Sequence, residues 1–280
     1  MRWLRGDVRA FVAAIRKQLR ETRRYPMLLL GSLFWPILLP SMYVLMGQVY
    51  SGGGDPRALG AFAERSGISD VTGFVFVGFA MYMWLSIILW GPGTALRQEQ
   101  MRGSLEAVFL TPASRLVVLF GPPLGTLWVI LFQFLVMGLA LWLLFGIVLD
   151  LAAVARAVVV LVFAVPALYA IGSLFAAAVL RYGEIGPAVH FVRGALVLAC
   201  GITYPVVMLP GWAQAVAAAL PPTYIVDDLR RVLLAGATLE GVAPDLAVIA
   251  LLTVAFGAVA IGIYRWTEGY ARRTGALGRY

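Results

Sequence analysis

The chain reads as an all-α integral membrane protein with six spans, on three observations. Hydrophobic residues make up 61% of its 280 positions, charged ones only 13%, and mean hydropathy is +0.89, where soluble domains carry about 25% charged residues. Six apolar runs of roughly bilayer length, about 20 residues each, follow one another along it. None alternates polar with apolar at every second residue as barrel strands do, and an open sheet would leave backbone groups unpaired in lipid. Six spans fill the chain, so residues 27–280 form one transmembrane domain with no room for a separate soluble one.

Residues 1–26 come first and are strongly basic. Gly6-Asp7 opens an amphipathic helix, with Asp7 placed to cap it. Val8, Phe11, Val12, Ile15 and Leu19 share one face, and Arg9, Arg16, Lys17, Arg20 and Arg23 lie largely on the other. Such a helix rests in the headgroup plane, either as an anchor on anionic lipid alone or with its free face against a partner. Its charged stretch is too long for a cleaved signal, and no small-x-small site follows the first run. Tyr25-Pro26 then turns the chain into the membrane.

The spans are predicted at about 27–46, 74–96, 116–147, 154–180, 189–208 and 246–266. The third is longer than one crossing needs, so it tilts or begins in the interface, and Gly121-Pro122-Pro123 predicts a break near its start. The first outer connection is short and opens Ser51-Gly52-Gly53-Gly54. Between the last two spans, Val206, Val207, Leu209, Trp212, Val216 and Leu220 are too apolar for a free loop and too few for a span. Residues 209–243 therefore predict two short re-entrant or interfacial helices, near 212–220 and 224–235. In that segment Arg230 and Arg231 pair with Asp227 and Asp228, or meet an anionic headgroup.

Basic residues set the orientation. Seventeen of the 22 fall on one side: eight before the first span, then Arg97, Arg102 and Arg115, Arg181 and Arg193 in the fourth connection, and four in the tail. Arg57, Arg65, Arg156, Arg230 and Arg231 fall on the other. Both termini and the polar segment 97–115 are thereby placed in the cytoplasm. The net charge of +8 is a topology signal, and it calls for membrane lipid and no nucleic acid as partner.

The composition also excludes function classes. Cys200 is the only cysteine and His190 the only histidine, so neither a disulfide nor a metal site can be built from them, and His190 reads as an interfacial packing residue beside Arg193. All fourteen acids lie at span ends or in connections, whereas ion-coupled carriers place ionisable groups at mid-membrane. There is no catalytic triad and no GxxxxGK[ST] phosphate loop, so the chain is not an enzyme and any uphill movement must draw energy from another subunit.

That gives the polar segment 97–115 a purpose. Gly103 permits a sharp turn, residues 104–110 can form a short helix, and Thr111-Pro112 stops it before the third span. The pattern Glu99, Arg102-Gly103-Ser104-Leu105-Glu106, Leu110-Thr111-Pro112 and Ser114-Arg115 resembles the cytoplasmic coupling segment of ABC-2 type permeases, the membrane subunits of one class of ATP-binding cassette exporters. A second stretch is similar to that family's segment between its last two spans: Gly201-Ile202-Thr203-Tyr204-Pro205, Leu209-Pro210, Trp212, Leu220-Pro221-Pro222-Thr223-Tyr224 and Leu229-Arg230-Arg231. Pro221-Pro222 departs from it, since many members carry Asn-Pro or a similar dipeptide there.

The resemblance implies the ABC-2 type exporter fold in a bacterial-type plasma (inner) membrane. It implies a homodimer that binds two copies of a cytoplasmic ABC ATPase subunit, with ATP and Mg in that partner and no cofactor in this chain. Glu99, Arg102 and Glu106 would give polar contacts to the ATPase and Leu105 and Phe109 apolar ones, framed by Gly103, Thr111 and Pro112. Tyr204, Pro205, Pro210, Pro221, Pro222 and Arg230 would form the outer gate. On the second span Phe79, Tyr82, Ser86 and Trp90 fall on one helical face, and Tyr43 offers a polar aromatic on the first. Such a stripe is either packing or the wall of a pathway for an amphipathic substrate: a drug, a lipid or a lipid-linked glycan. The alternative from another class is a membrane scaffold that docks a cytoplasmic partner and transports nothing.

Overall fold

The structure is a computed structural model of the chain. It describes residues 26–50, 56–91, 127–147, 150–182 and 186–274, together with positions 9, 12, 13, 15, 16, 19, 20 and 24. Those eight positions are helical, and Val12 and Leu19, on the predicted apolar face, are exposed. The segment 97–115, with every expected ATPase-coupling residue from Glu99 to Pro112, lies outside the described residues, as does Gly121-Pro122-Pro123.

Beyond position 24 there are nine helices and no strand among the described residues. They are α1 (Pro26–Tyr50), α2 (Pro56–Ser66), α3 (Val71–Trp90), α4 (Leu127–Phe145), α5 (Leu151–Tyr182), α6 (Gly186–Ala199), α7 (Gly211–Ala218), α8 (Pro221–Leu234) and α9 (Leu239–Thr274), with one 3-10 turn at Val206–Met208. Among the described residues three stretches are long and apolar enough to cross a bilayer, Val71–Trp90, Leu151–Ala176 and Leu239–Ile263. Three shorter apolar ones are Phe34–Met46, Val129–Phe145 and Gly186–Ala199. Each falls on one of the six predicted runs.

Local chemistry explains where these helices start and stop. Asp70 caps α3 by accepting a hydrogen bond from the Gly73 N–H at 2.9 Å. Gly146 ends α4 at a φ of +69°, and the Ile147 N–H reaches back to the Leu141 carbonyl, the paired return that a left-handed residue allows. Gly236 does the same for α8 at +68°, with the Ala237 N–H on the Arg231 carbonyl. The expected span 189–208 is a helix of only 14 residues, because Gly201 takes a φ of +65° and Pro205 cannot continue the ladder. Two short helices, α7 and α8, stand where the apolar run 206–220 and its proline punctuation predicted them.

One helix went unforeseen. The connection that opens with three glycines carries α2, started by Pro56 at its first turn and closed by Gly67 at a φ of +69°. Phe62 of α2 packs edge-on to Phe74 of α3, ring centres 5.1 Å apart, so α2 leans on the start of α3.

Helix α3 sits at the centre. It touches α1, α4, α5, α6 and α8, and Met81, Trp84, Leu85, Ile88 and Leu89 are almost wholly buried. Helix α5 packs in turn against α8 and α9, and its small residues Ala153, Ala157, Ala164 and Ala167 are buried. Lipid tails are as apolar as leucine, so helices in a bilayer associate through such close packing and through polar contacts. Where polar contacts occur in this molecule is therefore informative.

Candidate functional site

Two groups of polar contacts converge on α3, one along its second half and one at its beginning. Along the second half, residues at spacings of three and four project from one face. Tyr43 of α1 lies 5.1 Å from Phe79, ring centre to centre, and Phe79 lies 5.8 Å edge-on from Tyr82. The guanidinium of Arg193, from α6, stands 5.1 Å over the Tyr82 ring, a cation–π distance. Its Nη1 donates to Ser86 Oγ at 3.3 Å, and Ser86 Oγ donates to the Tyr82 carbonyl at 2.9 Å. Arg193 Nη2 is 2.9 Å from His190 Nδ1. A guanidinium has donors only, so Nδ1 is the acceptor. The His190 ring meets Trp90 edge-on at 5.9 Å.

The four expected pathway residues Tyr43, Phe79, Tyr82 and Ser86 are thus brought into one row, which Arg193 and His190 extend to Trp90. Phe79 is buried, Tyr82, Ser86 and Arg193 are half-buried, and Tyr43, His190 and Trp90 are exposed. Sequence counting had placed Arg193 with a connection; it is the eighth residue of α6. Its spacing of three from His190 was a visible signal of shared face, but nothing in the sequence tied that face to α3.

At the beginning of α3 the key residue is Arg230 of α8, which is 2% exposed. Its Nε donates to the Phe74 carbonyl at 3.2 Å, Nη1 to Gly201 at 2.8 Å and Nη2 to Ile202 at 2.6 Å. The guanidinium lies over the Phe74 ring, 3.3 Å from its centre. Burial pushes its pKa down to about 9, which leaves it charged at neutral pH. Gly201 and Ile202 follow the end of α6, where helix carbonyls lack partners and the dipole is negative, so a cation there satisfies both. Gly78 makes room: a methyl on it would collide with the Ile202 carbonyl and with Arg230 Nη2.

Local ion pairing, expected of both arginines, holds for Arg231 and not for Arg230, which turns to three carbonyls instead. Arg231 Nη1 is 2.7 Å from Asp245, 3.6 Å from Asp228 and 4.0 Å from Asp227, and Nη2 donates to the Gly241 carbonyl at 2.8 Å. This joins α8 to the first turns of α9. Asp228 is fully buried, and neither carboxylate oxygen has a hydrogen-bond partner. Burial, and then the neighbouring Asp245 carboxylate, push its carboxyl up to about 8.

The other residues expected at an outer gate lie between the end of α6 and the start of α8. The Tyr204 hydroxyl donates to the Leu198 carbonyl. Pro205 precedes the 3-10 turn, Pro210 precedes α7, and Pro221 and Pro222 are buried at the start of α8. Pro205 and Arg230 also line a cavity of about 290 Å³, together with Phe74, Tyr224, Asp227 and Asp245. Sequence reasoning missed Gly78, and it named Asp228 as an ion-pair partner without its full burial. The signal for Asp228 was present, since Pro221, Ile225, Asp228 and Val232 are spaced four, three and four and form one buried stripe. Among the described residues no three metal-ligating side chains come together.

The ABC-2 type transporter family matches this chain over residues 9–234. That stretch holds α1 to α8, and so every residue of both polar groups except Gly241 and Asp245. No curated protein matches the chain.

Proposed function

The chain belongs to the ABC-2 type transporter family and is the transmembrane component of an ABC transporter; from that premise we propose that it is an exporter subunit, moving an amphipathic substrate outward. It works as a homodimer, driven by ATP hydrolysed on two copies of a separate cytoplasmic ATPase subunit.

The observation that carries this reading is the row from Tyr43 through Phe79, Tyr82 and Ser86 to Trp90. Apolar surface alone would suit lipid equally well, whereas rings, a hydroxyl and a cation in sequence offer an amphipath both kinds of contact along one path. Connectivity supplies a drive for it. The segment 97–115 follows α3 directly, so a push on that segment from a closing ATPase pair reaches α3 first. At its other end α3 is pinned by Arg230 to the 201–202 turn. A rod fixed at one end and pushed at the other swings its face, and that face bears the row. Alternating access follows when the swing opens the row to one side of the membrane and then the other.

Leu105→Ala with Glu106→Arg tests the drive in the complex reconstituted with its ATPase. Substrate-stimulated ATP hydrolysis should fall to the basal rate. Unchanged stimulation would remove the coupling role, and failure to isolate any nucleotide-hydrolysing partner with the wild-type chain would favour a scaffold over an exporter.

A further inference from the structure

We propose that Arg193, held between α3 and α6, binds the anionic group of an amphipath, a phosphate or carboxylate at the head of a membrane-embedded chain. This rests on the exporter reading only in making that amphipath a candidate for transport.

A guanidinium presents five N–H groups. Those of Arg193 meet two acceptors among the described residues, the Ser86 hydroxyl at 3.3 Å and the His190 ring nitrogen at 2.9 Å. Both acceptors are neutral groups, and no described carboxylate lies within ion-pair range. Arg230 and Arg231 are treated differently, one with three carbonyls and the other with three acidic side chains around it. An arginine in an apolar helix faces a protein partner, a water-filled space or a lipid headgroup. With α6 apolar and 14 residues long, a partner for the remaining N–H groups has to come from outside the described residues.

Depth and shape narrow the chemistry of that partner. At 1.5 Å per residue, Ser86 is about 6 Å and Tyr82 about 12 Å from the Trp90 end of α3. Both lie in the half of α3 that by the charge count is nearer the cytoplasm. The Tyr82 ring centre lies 5.1 Å from the guanidinium carbon, and with one N–H each of Nη1 and Nη2 given to Ser86 and His190, three N–H groups are left for a further acceptor. An edge-on fork matches a planar or tetrahedral oxyanion in bidentate fashion. Trp90 and His190, both exposed beside it, are suited to the glycerol or sugar level of an amphipath.

The test uses the chain with its ATPase in nanodiscs, with phosphatidylglycerol as the anionic probe and phosphatidylcholine as the control of equal chain length. Native mass spectrometry should show phosphatidylglycerol held about five- to tenfold more tightly than phosphatidylcholine. Arg193→Gln should erase the difference, and Arg193→Lys should keep part of it. Equal affinities in the wild type, or a preference surviving in Arg193→Gln protein of unchanged melting temperature, would overturn the site. ATP hydrolysis then separates the two sources of the anion. Stimulation by the probe that depends on Arg193 marks the headgroup of cargo, and Arg193-dependent binding without stimulation marks a resident lipid; both uphold the site. Phe79→Ala keeps the two readings apart, for if it leaves transport intact while Arg193→Gln still abolishes probe binding, the pathway fails and the anion site stands.

Discussion

Two arginines grip the central helix from opposite ends, and the molecule treats them in opposite ways. Arg230 is sealed from solvent, donates to three backbone carbonyls and lies flat on a phenyl ring. Arg193 is half-exposed and rests on a tyrosine ring with two neutral acceptors. Both sit on rings of the same helix, so the ring contact is not what distinguishes them. The distinction is burial and the kind of acceptor. A sealed cation that donates to three backbone carbonyls holds structure together, and a half-exposed one on two neutral side chains has N–H groups within reach of a ligand.

Removing each arginine is the strongest way to break that comparison. Arg230→Ala leaves three buried carbonyls without their donor and should lower unfolding stability in detergent by about 3 to 5 kcal/mol, the range for stripping one partner from a buried charged contact. Arg230→Lys should recover part of this, since one ammonium cannot span three carbonyls as a fork does. Arg193→Ala should cost under about 1 kcal/mol, as exposed charges do. Equal losses at the two positions, read by thermal melting of the purified chain, would abolish the distinction.

Gly78 sharpens it with a smaller effect. A methyl there meets the Ile202 carbonyl and Arg230 Nη2, so Gly78→Ala should destabilise by about 1 to 3 kcal/mol, the usual result of overfilling a packed site. Gly257 in α9 has nothing within 4 Å of such a methyl. Gly257→Ala should instead be neutral or stabilise by up to about 1 kcal/mol, because alanine favours a helix over glycine. If Gly78→Ala melted like Gly257→Ala, the clamp would be looser than its hydrogen bonds indicate.

Much of this was legible in the sequence, for reasons that differ by region. The apolar runs became helices because lipid admits little else, and the row on α3 was visible because spacings of three and four survive any later packing. The short helices α7 and α8 could be read from an apolar stretch too short to span and bracketed by Pro210 and Pro221. What could not be read was helix phase. Arg230 and Arg231 are adjacent and chemically alike, yet a rotation of about 100° between neighbours sends one to the 201–202 turn and the other to Asp245. Thr223, Val226 and Arg230, spaced three and four, hold the same buried face, and only the partners of that face decide which arginine is enclosed. The 14-residue length of α6 was hidden for a similar reason, since a glycine inside an apolar run does not announce whether it takes the positive φ that Gly201 has.

The smallest expected effect lies next to the clamp, in the carboxylates around Arg231, and it is read by pH. The Asp228 carboxyl is pushed up to about 8 from an ordinary value of 3.8, first by burial and then by Asp245. Between those two values the folded chain keeps a proton there that the unfolded chain has released. The folded state therefore binds more protons across that window, and stability from this group falls as pH rises from about 4 to about 8. Asn at 228 has nearly the shape of the protonated acid and cannot ionise, so Asp228→Asn should melt at a temperature that varies less with pH over that window and, at pH 8, lies above the wild type. Parallel pH profiles for the two proteins would mean that Arg231 holds Asp228 as a carboxylate. In that case the α8 to α9 junction would hold a second charged pair beside that of Arg231 with Asp245.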